Sequence, residues 1–511
     1  MRTNNNEIFA LTLPLKTEIW QEHLLNKRFK YCAEIQNEMI KKVIRILHYY
    51  SKTKEWQEIE NLKNYKEKNK KIKLFIKKYC LPFNEYGVLN SNNKEGNKNT
   101  FSKIFANRYR KYGINTTITE YIWAQVWKSL EKYLYSKGKK ISKKESDDFN
   151  SYKIRKKSGY FNGLTLNTKK STLTIKLDDK RGNKGKEIII PYIINEKSDY
   201  ELFCFQASNE IREIGIKREF IRGKYKYFVI FTIEGKKPQK NRKLGKGKVG
   251  IDMGPSTIVA VGENNILMSE LAENVNKYEA KIANLQRKMD RSKRQNNPLQ
   301  FNEDGTIKRY PKGERPKWVY SKNYQKLKAK TKELYRKKRV QIKLSHNIKT
   351  NELLRFGNVF IVENNPYSGW ARKTKKTTIN KNGKINSKKR FGKSIQNHAP
   401  SQCIEILKNK VISLGGSFIK MDIKNAASQF DFINGQKTKH SLSQRNITLS
   451  NGNKHTRDAM AAFNIMHFDV NKNEYNIKEM HKHYPNFKKM EQKEINKLKN
   501  EKNLPKSLGI N

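Results

Sequence analysis

The chain has 511 residues and a formal net charge of +61, because its 109 lysine and arginine residues far outnumber its 48 aspartate and glutamate residues. Such a chain repels itself unless polyanions neutralise it, so nucleic acid is the expected partner. No apolar stretch approaches the roughly 20 residues that span a bilayer. The four cysteines stand singly, which supports neither a disulfide framework nor a zinc ribbon.

The first half of the chain changes from a helical to a β pattern. Residues 8–15 alternate in the manner of one strand, and apolar residues three or four positions apart predict a helical domain over 16–145. Short β-branched and aromatic runs then predict a small barrel or curled sheet; the runs are 164–167, 171–177, 187–193 and a hairpin over 217–235. The first strand can join this sheet, so we expect the helical domain to be inserted within it.

A new domain is expected after a basic linker. In the segment 248–262, KVGIDMGPSTIVAVG, a short strand ends at Asp252 and a Gly-Pro turn leads to a second strand. A helical seam at 271–289 and a helix over 321–355 predict a long, basic helical hairpin. A buried strand, GNVFIVENN, and a helix, TRDAMAAFNIMHF, follow. The Lys-rich tail 471–511 is expected to be a weak helix at most, or disordered.

Three acidic residues stand in contexts that ordinary surface acids do not share. Asp252 ends a strand, Glu363 follows the apolar run VFIV, and Asp458 opens a helix that continues with Ala461 and Ala462. A buried carboxylate must be paired, protonated or bound to a metal. Carboxylates without histidine or cysteine suit Mg²⁺, and two such ions about 3.5–4 Å apart can drive phosphodiester hydrolysis. Each acid alone has an ordinary structural explanation, which for Asp252 is that of a turn residue, so only the set indicates a site.

The three segments resemble a known family. VGIDMGPSTIVAV, FIVENN and HTRDAMAAFNI are similar to the three RuvC motifs of the transposon-encoded TnpB proteins and of the type V CRISPR effectors, and the acids of those motifs stand here as Asp252, Glu363 and Asp458. LQRKMDRSK and SKNYQKLKAKTKELYRKKR resemble the basic helical hairpin of TnpB. The resemblance covers roughly residues 8–470; its RuvC motifs are specific, whereas the N-terminal half matches in organisation more than in residues.

The resemblance implies a multidomain α+β fold, in which a helical recognition domain is inserted in a wedge-type β-barrel and a RuvC (RNase H-like) α/β nuclease domain follows. The expected order is the first strand of the barrel (1–15), the recognition domain (16–145), the remaining barrel (146–245), the RuvC domain with motifs I and II and the basic hairpin (246–425), a zinc-finger-like insert that binds target nucleic acid (426–455), the motif III helix (456–470) and a basic tail (471–511).

The resemblance also implies an RNA-guided DNA endonuclease. Base pairing with a guide RNA would select the target DNA, double-stranded and also single-stranded, and the protein would recognise a short motif beside it. Asp252, Glu363 and Asp458 would be the catalytic residues and would bind two Mg²⁺ ions, with Asp252 shared between them. We expect one protein per guide RNA. The start of the chain has no signal-peptide pattern, so we expect a cytoplasmic prokaryotic protein that associates with the nucleoid through DNA, with no membrane partner.

One departure from the family concerns zinc. Family members usually carry four cysteines between the second and third motifs, whereas the corresponding stretch here has none. His440 and His455 are too few to bind zinc. We therefore expect no zinc and a metal-free insert, which the apolar side chains of Phe430, Phe432, Ile433 and Leu442 would hold together.

Basic residues of the predicted hairpin are candidates for phosphate contacts, although ordinary solvation explains each of them as well. These candidates are Arg287, Lys288, Arg291, Arg294, Arg336 and Arg339.

Other functions fit parts of the pattern. A nuclease-dead, RNA-guided DNA-binding repressor from the same ancestry would lose RuvC acids, and all three are retained here. An RNase H-fold transposase would act without a guide and would bind terminal repeats instead. A general RNA-binding protein with incidental acids is the third alternative.

Overall fold

The computed structural model describes residues 8–62, 64–79, 101–136, 138, 141–143, 145, 148–178, 186–195, 198, 201, 210–235, 242–311, 314, 316–372, 377–379, 391–441, 444–501 and 506–509. The chain divides into two compact units, Met1–Pro238 and Gln239–Asn511. Both units contain helices and strands, so the fold is multidomain α+β, as the sequence predicts.

The N-terminal unit combines an all-helical stretch with two sheets. Its described helices are α1 (Ile19–Tyr50), α2 (Lys54–Asn61), α3 (Tyr65–Tyr79), α4 (Phe101–Tyr109) and α5 (Thr116–Tyr135). Its described strands are β1 (Ile8–Pro14), β2 (Ser151–Lys157), β3 (Tyr160–Phe161), β4 (Leu164–Asn167), β5 (Thr172–Lys176), β6 (Glu187–Pro191), β7 (Glu210–Ile221) and β8 (Lys224–Glu234).

The first strand belongs to a sheet whose other strands come after the helices. The sheet order is β1-β8-β7-β2-β3, and β1 pairs antiparallel with β8 along its whole length, with Ile8 opposite Glu234. Helices α1–α5 are therefore inserted between the first strand and the rest of its sheet. The β7–β8 hairpin turns at Arg222 and Gly223, whose φ angles of 51° and 86° give the two-residue turn that matches strand twist. Strands β4-β5-β6 form a second sheet.

The C-terminal unit carries the candidate acids. Its described strands are β9 (Lys248–Met253), β10 (Thr257–Gly262), β11 (Ile266–Glu270), β12 (Val359–Glu363), β13 (Ser417–Met421), β14 (Phe430–Asp431), β15 (Gln436–Lys437), β16 (Asn446–Thr448), β17 (Lys454–Thr456), β18 (Phe468–Asp469) and β19 (Glu474–Tyr475). Its described helices are α6 (Val275–Gln295), α7 (Lys322–Leu353), α8 (Tyr367–Trp370), α9 (Gly392–His398), α10 (Pro400–Ser413), α11 (Arg457–Met466) and α12 (Ile477–Asn500). Across the described residues, none of the helices combines the length and apolar character needed to cross a lipid bilayer.

The main sheet of this unit has helices on both faces. Its order is β11-β10-β9-β12-β13; the first three strands are antiparallel, and β12 runs parallel to both β9 and β13. Because side chains alternate along a strand, β9 sends successive residues to opposite faces. Ile251 packs with Leu353 of α7 and Leu407 of α10, whereas Gly250 faces α11.

Gly250 allows α11 to lie directly on the sheet. A Cβ atom at this position would stand 2.1 Å from the carbonyl oxygen of Ala462 and 2.2 Å from the backbone nitrogen of Met466. The helix presents the small, buried side chains of Ala461 and Ala462 in this region. Glycine on the strand and alanine on the helix therefore set a short distance between α11 and β9.

The tail differs from its prediction. Instead of a weak or disordered segment, the structure has the helix α12, in which Met480, Phe487 and Leu498 are buried against α11 and neighbouring strands. The buried positions recur every three or four residues or at multiples of that spacing, so the helical period is present. The lysines between them and Pro485 within the helix obscure it in the sequence.

We expect Gly250→Ala to lower the unfolding temperature, because α11 must move away from β9 to admit a methyl group. Overpacking a core costs about 1–3 kcal/mol, which corresponds to roughly 2–4 °C per kcal/mol in a domain of this size. Gly369→Ala is the matched control, because its Cβ would stand 3.7 Å from Pro366, an ordinary contact. Thermal unfolding followed by circular dichroism measures both; equal stability of the two variants would contradict the close packing.

Candidate active site

Asp252 and Glu363 lie side by side at one edge of the main sheet. They stand at the carboxyl ends of the parallel strands β9 and β12, where Val362 pairs with Ile251. The register places the next residue of each strand, Glu363 and Asp252, next to each other. Ile361, two residues before Glu363, packs against α11, so both carboxylates are on the face that α11 covers.

Helix α11 brings Asp458 to the same edge. The contact between Ala462 and Gly250 fixes the helix over β9, and Asp458 lies one turn earlier, in the first turn of α11. Asp252, Glu363 and Asp458 consequently line one cavity of about 510 Å³. The structure thus brings together all three predicted acids.

Cationic and aromatic side chains complete this cavity. Arg457, the first residue of α11, and Arg445, which precedes β16, both line it. Trp370 and Phe391 contribute aromatic rings, and their ring centroids lie 6.4 Å apart. The cavity therefore offers carboxylates, guanidinium groups and aromatic surface together.

The pKa of each of the three carboxylates is raised. Burial raises the pKa of Asp252 well above its usual range, and the carboxylates of Asp458 and Glu363 raise it further, against the effect of nearby arginines. Burial also raises the pKa of Asp458, although the Arg457 guanidinium lies 3.5 Å away and opposes this. For Glu363, burial raises the pKa, and the Ala427 N–H, donated to Oε1 at 3.3 Å, offsets part of the rise.

This donor set fits a hard divalent cation held together with water. Within the described residues, no group of three or more His, Cys, Asp or Glu side chains is arranged so that it could hold a metal ion. Mg²⁺ does not require such a cage, because it keeps several waters and usually binds through one or two carboxylates plus substrate phosphates. Carboxylates whose pKa is raised by burial are ones whose ionised form a bound cation would stabilise.

The turn that follows Asp252 is fixed by hydrogen bonds. The Tyr367 hydroxyl, which is buried, donates to the carbonyl oxygen of Met253 at 2.7 Å. The backbone N–H of Gly254 donates to the carbonyl of Thr257 at 3.0 Å. The hydrogen bond from Tyr367 and the bond across the turn together hold the end of β9, and they limit the movement of Asp252.

A buried amide connects α11 to Glu363. Asn464, in the Asn-Ile pair of the third motif, is fully buried and donates from Nδ2 to the carbonyl oxygens of Ala427 and Phe430, both at 2.8 Å. Because the N–H of Ala427 in turn bonds Glu363, Asn464 fixes the segment that supports this carboxylate.

The segment before α11 packs through three of the four apolar residues predicted to hold it. Phe430 stacks on Tyr475 with ring centroids 4.0 Å apart, and the buried Phe432 packs against α12. Ile433 is half-buried against the same cluster. Leu442, the fourth predicted residue, lies outside the described residues.

The six predicted nucleic-acid contacts fall into two groups. Arg294 donates to Asp290 at 2.9 Å, and Arg336 forms a two-point ion pair with Glu333 at 2.9 and 2.7 Å. These two guanidinium groups are thus engaged within the hairpin of α6 and α7. The other four are exposed on that hairpin: Arg287, Lys288, Arg291 and Arg339.

Among the residues that sequence reasoning missed are two arginines and two aromatic residues of the cavity. Arg457 directly precedes Asp458, and Arg445 ends the segment SLSQR that frames the insert, so basic residues beside an acidic motif were an available signal. Trp370 and Phe391 follow no periodic pattern, and only the folded chain shows that they reach the cavity.

No protein-family model and no curated protein matches the sequence. Similar folds occur among solved structures. A Cas12f1–sgRNA–target DNA complex, seen by electron cryomicroscopy, contains a chain 13% identical to this one over 91% of this chain and 99% of that chain, with a TM-score of 0.46. A CRISPR–Cas12f ternary complex gives 13% identity over 90% of this chain and 87% of that chain, with a TM-score of 0.28.

The mini-RNA-guided endonuclease CRISPR-Cas_phi3 gives 12% identity over 64% of this chain and 63% of that chain, with a TM-score of 0.28. These structures belong to the group of proteins that the three motifs resemble. Because these identities do not exceed 13% and the TM-scores are below 0.5, the likeness does not show which residues act or on what substrate.

We expect Asp252→Asn to stabilise the metal-free protein at neutral pH. The pKa of Asp252 is higher in the folded than in the unfolded chain. The penalty on the folded state is therefore absent below the ordinary pKa of 3.8, grows as the pH rises above that value, and is complete above the raised pKa. Each pKa unit is worth about 1.4 kcal/mol. Thermal unfolding in EDTA at several pH values measures the gain.

The gain should shrink as the pH is lowered through the raised pKa. Glu303→Gln, which changes an exposed acid between α6 and α7, is the control and should change nothing. If Asp252→Asn is instead less stable than the wild type at neutral pH, then burial and the neighbouring acids do not destabilise the Asp252 carboxylate, and the prediction is contradicted.

Proposed function

We propose that the protein is an RNA-guided DNA endonuclease that hydrolyses phosphodiester bonds in a single site formed by Asp252, Glu363 and Asp458. The observation that carries the proposal is the convergence of these three acids, which are far apart in sequence, on one arginine-containing cavity. A charge of +61 supports a nucleic-acid substrate. The guide is inferred from the resemblance of the three motifs to RuvC, and one solved structure with a similar chain is a complex of Cas12f1 with sgRNA and target DNA.

The fold supports an assignment of its parts to the domains that the resemblance implies. We interpret β9–β13 with α11 as a RuvC-type, RNase H-like sheet, because antiparallel and parallel strands meet beside an acid-bearing helix. The N-terminal unit would be the wedge-type barrel with the recognition helices inserted after β1. The insert before α11 would contact target nucleic acid without zinc, since aromatic packing holds it.

Mg²⁺, when bound, would supply an activated water and stabilise the charge on the leaving oxygen. Asp252 is adjacent to both other acids, so it is the one that two ions could share, with Glu363 and Asp458 completing one site each. Arg445 and Arg457 can bind the phosphate and neutralise its charge.

Other parts of the cavity would position the nucleotide. Trp370 and Phe391 can pack against a sugar or base at the cleaved position. The bond from Tyr367 to Met253 keeps the end of β9 in place while the substrate enters. The exposed basic residues of the α6–α7 hairpin would contact the nucleic-acid backbone.

Asp252→Ala is expected to reduce target cleavage to background while guide and target binding stay close to wild type, because the change removes a metal ligand and no substrate contact. The protein should be purified with its own RNA and assayed on DNA complementary to that RNA. Asp422→Ala is the matched control, since Asp422 also follows a strand of the same sheet but is exposed and outside the cavity. Full cleavage by Asp252→Ala would overturn the site assignment.

Combined replacement of Arg287, Arg291 and Arg339 by Ala should weaken nucleic-acid binding. The slope of log affinity against log salt should fall by about one for each phosphate contact that is lost. Arg336→Ala serves for comparison, because the Arg336 guanidinium is engaged by Glu333. Filter binding over a range of salt concentrations compares the triple variant with Arg336→Ala. An unchanged slope in the triple variant would show that the hairpin does not contact nucleic acid.

A further inference from the structure

A buried carboxylate of the C-terminal helix binds the start of α11. Glu491 of α12 is 4% exposed. Its Oε1 accepts hydrogen bonds from the backbone N–H and the hydroxyl of Thr456, both at 2.8 Å. Its Oε2 lies 2.5 Å from Nδ1 of His455. Both partners are also buried, so these contacts are made away from solvent.

The hydrogen-bonding groups of this cluster match one another. His455 Nε2 lies 2.7 Å from the Tyr484 hydroxyl, so a neutral imidazole that donates from Nδ1 to Glu491 can accept from Tyr484. Glu491 then accepts three hydrogen bonds, and each buried donor around it has a partner. Buried polar groups satisfied in this way specify one arrangement of the elements that they join.

The element that Glu491 holds carries a proposed metal ligand. Thr456 is the N-cap residue of α11, and Asp458 is two residues later in the first turn. A threonine at this position commonly accepts a hydrogen bond from the helix backbone. Here its hydroxyl makes no cap bond to the helix and donates to Glu491 instead. The position of the first turn of α11 therefore depends on α12.

We propose that Glu491 is a positioning residue for catalysis, which sets the location of the Asp458 carboxylate through Thr456. This inference rests on the proposed nuclease function of Asp252, Glu363 and Asp458. Helix α12 lies outside the three motifs and would nevertheless help to position an active-site residue.

The proposal predicts a defect in turnover rather than in binding. Without Glu491, the Thr456 hydroxyl is free to turn toward the helix backbone, and the first turn of α11 can shift. A displacement of about 1 Å can cost about 100-fold in rate. Glu491→Ala should therefore lower the single-turnover cleavage rate of the guide-loaded protein about 10- to 100-fold, with target affinity unchanged, and raise the Mg²⁺ concentration needed for half-maximal cleavage.

Conservative and matched variants separate positioning from general stability. Glu491→Gln keeps a carbonyl oxygen for Thr456 and can donate to the other His455 tautomer, so it should restore most of the rate. Glu494→Ala is the control, because Glu494 lies on the same helix, is 9% exposed and contacts Lys497 rather than α11. It should cleave as the wild type does.

Calorimetric titration of the full-length, RNA-free protein with Mn²⁺ provides a readout besides cleavage. Wild type should bind Mn²⁺ more tightly than Glu491→Ala, and Glu494→Ala should match wild type. A wild-type protein that neither binds Mn²⁺ nor cleaves DNA would refute the proposed function itself. If the wild type binds Mn²⁺ and cleaves DNA, and Glu491→Ala has the same rate and the same Mn²⁺ affinity, only the positioning role is overturned. Equal losses in Glu491→Ala and Glu494→Ala, or no recovery in Glu491→Gln, would also overturn it.

Discussion

The contact of α11 with β9 at Gly250 determines how close the three candidate carboxylates stand to one another. The carbonyl oxygen of Ala462 and backbone atoms of Met466 occupy the space that any side chain at this position would need. Because the helix lies so close to the strand, its first turn reaches the edge where two parallel strands end. Asp458 therefore meets Asp252 and Glu363 in one cavity, and a wider separation of helix and sheet would remove it from them.

Bringing three carboxylates together opposes folding. Burial raises the pKa of each of them, and the carboxylates of Asp458 and Glu363 raise that of Asp252 further. Nearby arginines offset only part of the rise for Asp252 and Asp458. The surrounding structure compensates with buried hydrogen bonds: Asn464 holds the segment beside Glu363, and Tyr367 holds the end of β9. Sites that lower the stability of the folded state in this way are typical of catalytic centres, where a bound ligand restores the lost stability.

The sequence predicted the parts of this site that depend on local context. Asp252 and Glu363 follow short apolar runs that predict buried strands, and Asp458 precedes a pair of alanines that suits a closely packed helix. Long-range features were not predictable in the same way. Arg445 enters the cavity only because the insert folds back to it, and Glu491 reaches Thr456 from a helix whose lysines and proline hid its periodicity. Arg294 and Arg336 looked equivalent to their neighbours, and only the structure shows that acids of the hairpin engage them.

The most direct test of the central claim is a crystal structure of the protein grown with Mn²⁺ in place of Mg²⁺, with the ions located by their anomalous scattering. Two peaks about 3.5–4 Å apart, both within ligand distance of Asp252 and one each beside Glu363 and Asp458, are the result that the account predicts. Mn²⁺ bound only at other acids, with none in this cavity, would contradict it.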